Sequence, residues 1–315
     1  MSEPKRQHLV PKCYLKNFAL NRKKEWYLDA CNVKLKDQKP FNTSINNICV
    51  ETEFYTFHKL PEKDKRFLER FYSNNIENDY SEVYDILTNP NKIQISSNQR
   101  FKIISFIISQ HFRTAKITNA FSKIWNRAIE HGYNFINPES KERKLHFEDG
   151  SFLDFKEKNL DEVKIESNNQ NREFINIQNY YRFRDLTIRR LNDIIIVNKS
   201  SSPYKFITSD NPVIIGSMVY NPNISIHIPI NHNHSISLYP QTEEMSADIK
   251  SIFRTEMNDE ISYLQTLFIN SVQIEQCEKF ILGSEQTLEK AVIEAKNFDE
   301  KDFKIRSQKV ITNTI

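Results

Sequence analysis

The sequence predicts an α+β protein in which an antiparallel sheet packs against several long helices. Short apolar runs separated by polar turns fill residues 193–239, as in an antiparallel meander. A second β-rich stretch covers residues 25–58, where apolar and aromatic runs alternate with turn residues. Long segments with helical periodicity flank these blocks. They cover residues 62–88, 97–131, 172–192 and 243–282.

Composition limits the classes of function. Of 315 residues, 22 are Phe and 13 are Tyr, whereas only four are Gly. Aromatic side chains supply core volume. Neither G-x-G-x-x-G nor G-x-x-x-x-G-K-[ST] occurs, which excludes Rossmann and P-loop functions at the level of motifs. The whole chain has a net charge of +3, and residues 1–40 carry an excess of Lys and Arg. Such a segment can contact phosphates, although a solvated surface is the commoner explanation.

Four cysteines are spaced too widely for a zinc knuckle and are too few for a disulfide scaffold. No apolar h-region follows the N-terminus, and no apolar run is long enough to cross a bilayer. We therefore expect a cytoplasmic protein that makes no membrane contact. We expect residues 1–285 to form a single α+β domain, with residues 286–315 as a C-terminal extension packed on it.

The most informative stretch runs from Lys205 to Gly216, where two apolar runs are joined by Ser-Asp-Asn-Pro. Asp210 and Asn211 favour a turn because their side chains bond to backbone N–H groups, and Pro212 has no N–H to donate. Alternatively, Asp210 lies at a strand end, where scaffolds present catalytic groups, with Asn211 as a binding residue. If Asp210 is structural, Asn should replace it. If Asp210 is catalytic, the Asn variant should fold and be inactive, and this is the outcome that we predict from the sequence.

Two polar groups of the N-terminal part are candidate site residues. His8 precedes a short helix that Pro11 can begin, and it serves either as a general base or as a structural hydrogen-bonding group. Period-two alternation places Glu51 and Glu53 on one face of the run that starts at Ile48. Such a pair suits metal binding or acid–base chemistry, and it equally suits a solvent-facing edge.

The predicted helices contribute three more candidates. Glu77 lies beside the apolar stripe of the 62–88 helix and therefore needs a partner. Gln110 and Arg113 project together at i and i+3, where they would hold a carboxylate or a phosphate. A buried guanidinium without an acid is costly, so we expect Arg113 to pair with Glu77 or Glu51.

Two further patterns contain charged or metal-binding side chains. In the 172–192 helix, Arg184 falls inside an apolar stripe that includes Tyr181, so it too would need an acid. His227, His232 and His234 follow an H-x4-H-x-H spacing at a predicted hairpin tip. Two of these histidines would bind zinc only with a distant acid. Solvent-exposed turn histidines are the favoured interpretation.

Together the dispersed candidates suit phosphodiester hydrolysis. Carboxylates would hold a divalent cation such as Mg²⁺, Arg113 would stabilise negative charge and His8 would move a proton. This predicts that His8 and Asp210 share one cleft with Gln110 and Arg113. A buried polar network that positions helices against a sheet explains the same residues.

Four motifs carry a resemblance to a known family. They are His8-Leu-Val-Pro-x-x-Tyr-Leu-x-x-Phe18, Ile48-Cys-Val-Glu-x-x-Phe-Tyr55, Gln110-x-x-Arg-Thr114 and Phe206-Ile-Thr-Ser-Asp-Asn-Pro-Val213. In this order, from about residue 6 to about residue 285, they resemble the bacterial domain of unknown function 4238. The resemblance implies a bacterial or phage-linked protein and carries no established activity. Our hypothesis is a metal-assisted hydrolase, a nuclease in a toxin or phage-defence setting, with nucleic acid as partner. The alternative is a non-catalytic sensor or protein-binding protein.

Overall fold

The computed structural model describes residues 6–35, 39–136, 143–148, 150–200, 203, 205–215, 224–243, 245–257 and 259–296. The α+β class is confirmed. The strands are β1 (Arg6–His8), β2 (Leu20–Arg22), β3 (Glu25–Asn32), β4 (Pro40–Ser44), β5 (Val50–Thr52), β6 (Lys144–His146), β7 (Phe152–Asp154), β8 (Ile194–Ser200), β9 (Thr208–Ser209), β10 (Ile214–Ile215), β11 (Ile226–Pro229), β12 (His234–Tyr239), β13 (Ile252–Met257) and β14 (Phe280–Gly283). The α-helices are α1 (Lys12–Leu15), α2 (Phe67–Tyr72), α3 (Tyr80–Thr88), α4 (Ser97–Arg113), α5 (Ala115–Tyr133), α6 (Leu160–Arg189), α7 (Asp259–Gln276) and α8 (Glu285–Lys296).

Two five-stranded sheets carry most of the described strands. The first contains β2, β3, β4, β14 and β9, all paired antiparallel. The second runs β10-β11-β12-β8-β13 and is antiparallel except for the parallel pair of β8 and β13. The single meander expected over residues 193–239 is therefore wrong, because β9 belongs to the first sheet. Asp210, directly after β9, bonds to the backbone at the start of β14 and so holds β9 beside that strand.

The predicted helix boundaries needed correction. The 62–88 segment is α2 and α3, joined through a π-helical turn at Ser73–Glu77. The 97–131 segment breaks at Thr114 into α4 and α5. The 243–282 segment holds β13, α7 and β14, and tertiary pairing with β8 and β3 gives its two ends extended structure.

Helix α6 differs most from expectation. It begins at Leu160, behind a capping box formed by Asn159 and Glu162, inside the stretch 135–171 that we expected to be loop, hairpin or insertion. The hairpin of β6 and β7 does precede it. Part of the predicted apolar stripe faces solvent, since Tyr181 is 54% exposed, whereas Ile177 and Leu191 pack against the core. Arg184 is exposed with Tyr181, so it needs no buried acid.

The main core draws on the N-terminal motif, the helices and both sheets. Phe106 of α4 is central to it, with its ring 4.2 Å from that of Tyr80 and 6.3 Å from that of Tyr14. Helix α8 packs Leu288 and Ala291 into a smaller cluster on the first sheet, and residues 297–315 of the expected C-terminal extension lie outside the described residues. Among the helices described, none combines the length and apolarity that a membrane crossing requires.

His111 of α4 is buried, and neither ring nitrogen has a hydrogen-bond partner among the described residues. Burial, helped by the charge of Lys116, lowers the pKa of His111 from 6.5 to about 4. At a pH between about 4 and 6.5, the unfolded chain binds more protons at His111 than the folded chain does. The contribution of His111 to stability is therefore complete above pH 6.5 and is lost as the pH falls towards 4.

We predict that His111→Phe flattens the loss of stability between pH 6.5 and 4. The expected reduction is on the order of 3 kcal/mol, from the difference in pKa between unfolded and folded chains. Urea unfolding at a series of pH values measures it, and the exposed His146, as His146→Gln, is the matched control. If His111→Phe lost stability with pH as steeply as the wild type, the neutral buried imidazole would be refuted.

Candidate functional site

Tyr14 attaches the N-terminal motif to the two sheets. Its hydroxyl donates to the carbonyl of Pro229 at 2.6 Å. Because a carbonyl only accepts, the hydroxyl of Thr208 is the donor in the 2.7 Å contact with the Tyr14 oxygen. One buried phenol thus joins α1 to β9 of the first sheet and β11 of the second, which fixes the position of the preceding residues, His8 included.

The break between α4 and α5 is held by hydrogen bonds from distant parts of the chain. Thr114 has extended backbone angles, and its hydroxyl is shared between the carbonyl of His111 and the side-chain oxygen of Asn211, each at 3.2 Å. The hydroxyl of Tyr55 donates to the carbonyl of Arg113, the last residue of α4. The backbone carbonyls of His111 and Arg113 at the break are therefore satisfied inside the protein.

Arg113 is 1% exposed and is paired as predicted. Its Nη1 lies 2.8 Å from a carboxylate oxygen of Glu77, its Nη2 donates to the carbonyl of His8 at 3.0 Å, and its guanidinium lies 4.6 Å from the centre of the Tyr72 ring. Burial by itself lowers the pKa of Arg113, but Glu77, Tyr55 and Tyr72 outweigh burial and raise it. Arg113 is therefore a permanent cation in a fixed orientation.

Glu77 ends the π-helical turn between α2 and α3. Such turns shift the positions of the side chains that follow, and they are frequent at functional sites. Glu51, the other predicted partner of Arg113, is not its partner: the charges acting on Glu51 are those of Arg172 and Lys279. Burial raises the pKa of Glu51. The expected common face with Glu53 is wrong, since β5 ends at Thr52 and Glu53 has a φ of 53°.

His8 ends β1, and its Nε2 lies 3.1 Å from the carbonyl of Ile45. Burial lowers the pKa of His8 from 6.5 to about 4, so the ring is neutral at pH 7. Since the carbonyl only accepts, Nε2 carries the proton and Nδ1 keeps a lone pair. Nδ1 has no partner among the described residues, so it remains able to accept a proton.

These groups line a pocket of about 280 Å³, called the His8 pocket below. Its lining residues are Arg6, His8, Lys12, Asn46, Glu69, Glu77 and Arg113. Three cations face two carboxylates, so the pocket has a net charge of +1 while His8 is neutral. Lys12 and Arg6 bond only to amide oxygens, of Asn46 and Asn47, within the described part of the chain. The lining therefore favours an anion.

Asp210 does not line the His8 pocket, so the expected single cleft is not formed. One carboxylate oxygen accepts the N–H of Glu278 at 2.9 Å, and the other accepts those of Lys279 and Phe280 at 2.8 and 3.0 Å. Burial raises the pKa of Asp210, and the three N–H bonds oppose that rise. The carboxylate thus ties β9 to the residues that lead into β14, and no sequence pattern identifies backbone donors so far along the chain.

Asn211 is also held inside the protein. Its side chain accepts from Thr114 and donates to the carbonyl of Gln276 at 3.2 Å. Gln273 was missed by sequence analysis, although it is fully buried, accepts from Ser209 and donates to the carbonyl of Pro212, each at 2.6 Å. Its only sequence signal is a polar residue on the inner face of a helix.

Gln110 is completely buried and does not line the His8 pocket. Neither its side-chain oxygen nor its nitrogen has a partner among the described residues. The predicted Gln110–Arg113 clamp for a carboxylate or phosphate is therefore not formed, because the amide turns into the interior. Only Arg113 of this pair reaches the pocket.

Metal ligands are not grouped in the described part of the chain: no cluster of three His, Cys, Asp or Glu side chains is present there. His227 is held by hydroxyls of Ser225 and Ser237 at 2.8 and 2.7 Å. The expected exposed turn is wrong for these histidines, since His227 lies within β11, His234 begins β12 and His232 is partly buried. The residues do not fit the predicted Mg²⁺ site, and no step below is assigned to a metal.

Fold and site define an α+β protein whose motif residues form a buried polar network with an anion-favouring pocket at its margin. A family model described as "Protein of unknown function (DUF4238)" matches residues 6–287, and the chain belongs to this family. No curated protein and no solved structure matches the chain significantly.

We predict that Asp210→Asn destabilises the fold by about 2 kcal/mol, because an amide nitrogen would face an N–H donor and the charge would be lost. Chemical denaturation measures this. Asp248→Asn is the matched control, since Asp248 is exposed and accepts only from Lys250 and Ser251 among the described residues. An Asp210→Asn protein that is as stable as the wild type, yet inactive, would return Asp210 to the catalytic residues.

Proposed function

We propose that the chain binds an RNA strand at the His8 pocket and cleaves a phosphodiester bond there. One observation supports the proposal most strongly: a neutral imidazole with a free Nδ1 shares a net-positive pocket with Lys12 and Arg113. Such a pocket offers a proton acceptor and two positive charges to one phosphate group.

The proposed step uses only these residues and the substrate. The ribose 2′-oxygen attacks the adjacent phosphorus, and its proton passes to Nδ1 of His8. The bond from phosphorus to the 5′-oxygen breaks, and the leaving oxygen takes a proton from the Lys12 ammonium. Arg113 and Lys12 oppose the charge on the phosphate oxygens. The products are a 2′,3′-cyclic phosphate and a 5′-hydroxyl.

RNA is preferred to DNA as substrate because RNA carries its own nucleophile. Hydrolysis of DNA requires an activated water, usually prepared by metal ions. The described residues supply no cluster of three metal ligands, whereas the 2′-hydroxyl needs only a base and charge stabilisation. We extend the proposal to a toxin-like setting, in which expression of the wild-type chain would arrest growth.

A non-catalytic function is the second candidate, and the Arg113–Glu77 pair favours it. In this case the Glu77 carboxylate neutralises the Arg113 guanidinium. The pocket would then bind a phosphate group without stabilising the transition state of phosphodiester cleavage. The motif residues would act only through the fold. A protein of this class binds RNA through the same Lys12 and leaves the strand intact.

We predict that His8→Gln keeps RNA binding and lowers the cleavage rate by about 10²-fold or more, the usual size of a general-base effect. Gln keeps a donor for the Ile45 carbonyl and removes the proton acceptor. Cleavage by the wild type should stay constant between pH 6 and 8, because a His8 pKa of about 4 leaves the base free throughout this range. Exposed His146→Gln is the control. Binding without cleavage by the wild type itself would establish the second candidate.

A further inference from the structure

We propose that a second cavity, remote in its lining from the His8 pocket, binds a nucleoside phosphate. The cavity has a volume of about 620 Å³, within the usual range for small-molecule sites. We call it the Lys205 cavity and define it by Arg22, Lys205, Lys290, Phe18, Tyr27 and Leu28. It shares no lining residue with the His8 pocket, so the proposal is independent of RNA cleavage.

One wall of the cavity is cationic. Arg22 has no partner among the described residues, and the Lys205 ammonium donates to the neutral side-chain oxygen of Asn233 at 2.6 Å. Of the two lining acids, Asp29 already accepts from an amide nitrogen of Asn42 at 2.8 Å. With Lys290 the cavity holds three cations and two carboxylates. A phosphate group would therefore meet Arg22 and Lys205, neither of which is paired with a carboxylate among the described residues.

The hairpin that brings Arg22 to the cavity is strained. Lys23 and Lys24 connect β2 to β3 with φ values of 51° and 71°. Asn-Gly is the usual pair in such a turn, and a lysine there costs roughly 1–2 kcal/mol. Arg22 lines the cavity, and Lys23 and Lys24 follow it in the hairpin turn.

The rest of the lining suits a planar ring. Tyr27 offers a partly exposed aromatic ring, and Phe18 and Leu28 are buried side chains of the same lining. Aromatic rings stack on nucleobases with little preference for sequence. A base against these side chains and a phosphate against the cationic wall describe a nucleoside phosphate. The ligand is either a free nucleotide or the terminal nucleotide of a strand.

Isothermal titration of the full chain with AMP, adenosine, inorganic phosphate and a 5′-phosphorylated trinucleotide tests this inference. AMP should bind more tightly than adenosine or phosphate alone. Lys205→Gln and Arg22→Gln should each weaken AMP binding about tenfold, whereas Glu294→Gln, which removes a lining acid, should strengthen it. Tighter binding of the trinucleotide would assign the site to strand ends, and tighter binding of AMP to free nucleotides.

Lys123→Gln is the matched control, because Lys123 is exposed and lines neither cavity, so AMP affinity should be unchanged. Arg22 is exposed, so Arg22→Gln carries the test if Lys205→Gln fails to fold. The inference is overturned if AMP binds more weakly than about 1 mM, if adenosine binds as tightly as AMP, or if Lys123→Gln weakens AMP binding while Arg22→Gln does not. None of these results depends on whether His8 supports cleavage.

Discussion

The buried guanidinium of Arg113 is the constraint on which the rest of the structure depends. A cation that is 1% exposed is costly unless it is paired and hydrogen-bonded. Meeting that need fixes the end of α4, the π-helical turn with Glu77 and the backbone of β1 in one arrangement. Helix α4 therefore ends at Arg113. At this break the Tyr55 hydroxyl donates to the carbonyl of Arg113, and the Thr114 hydroxyl donates to the side chain of Asn211.

From this point the motif residues other than Gln110, whose side chain has no partner among the described residues, spread outward through hydrogen bonds. Thr114 reaches Asn211, and the Ser209–Pro212 turn in turn binds Gln273 of α7 and the backbone before β14. Each member satisfies another member that is also buried, so removal of one leaves an unpaired polar group. His8 and Lys12 lie at the margin of the network, where a pocket opens. We therefore propose that RNA binding and cleavage take place at the margin of this network, in the His8 pocket, and not at its buried centre.

The sequence was sufficient for the α+β class and for an acidic partner of Arg113, because periodicity and the cost of a buried charge are local arguments. It did not decide between Glu77 and Glu51 as that partner. It was insufficient for the break at Thr114, because the contacts there join residues far apart in the chain. Tyr55 lies 58 residues from Arg113, and Asn211 lies 97 residues from Thr114. It misplaced part of the inner face of α6, because the structure buries Asn179 there and exposes Tyr181 of the predicted stripe. The partners of Asp210 are backbone N–H groups, which no side-chain pattern reveals.

A double-mutant cycle between Thr114 and Asn211 tests the central claim most directly. Thr114→Val removes the hydroxyl and keeps the shape, and Asn211→Ala removes its acceptor. If the network holds the helix break, the two changes together cost less than the sum of the single changes, with a coupling of about 1 kcal/mol in urea unfolding. Additive costs within about 0.3 kcal/mol would show that the break is held by other means, and would contradict the account.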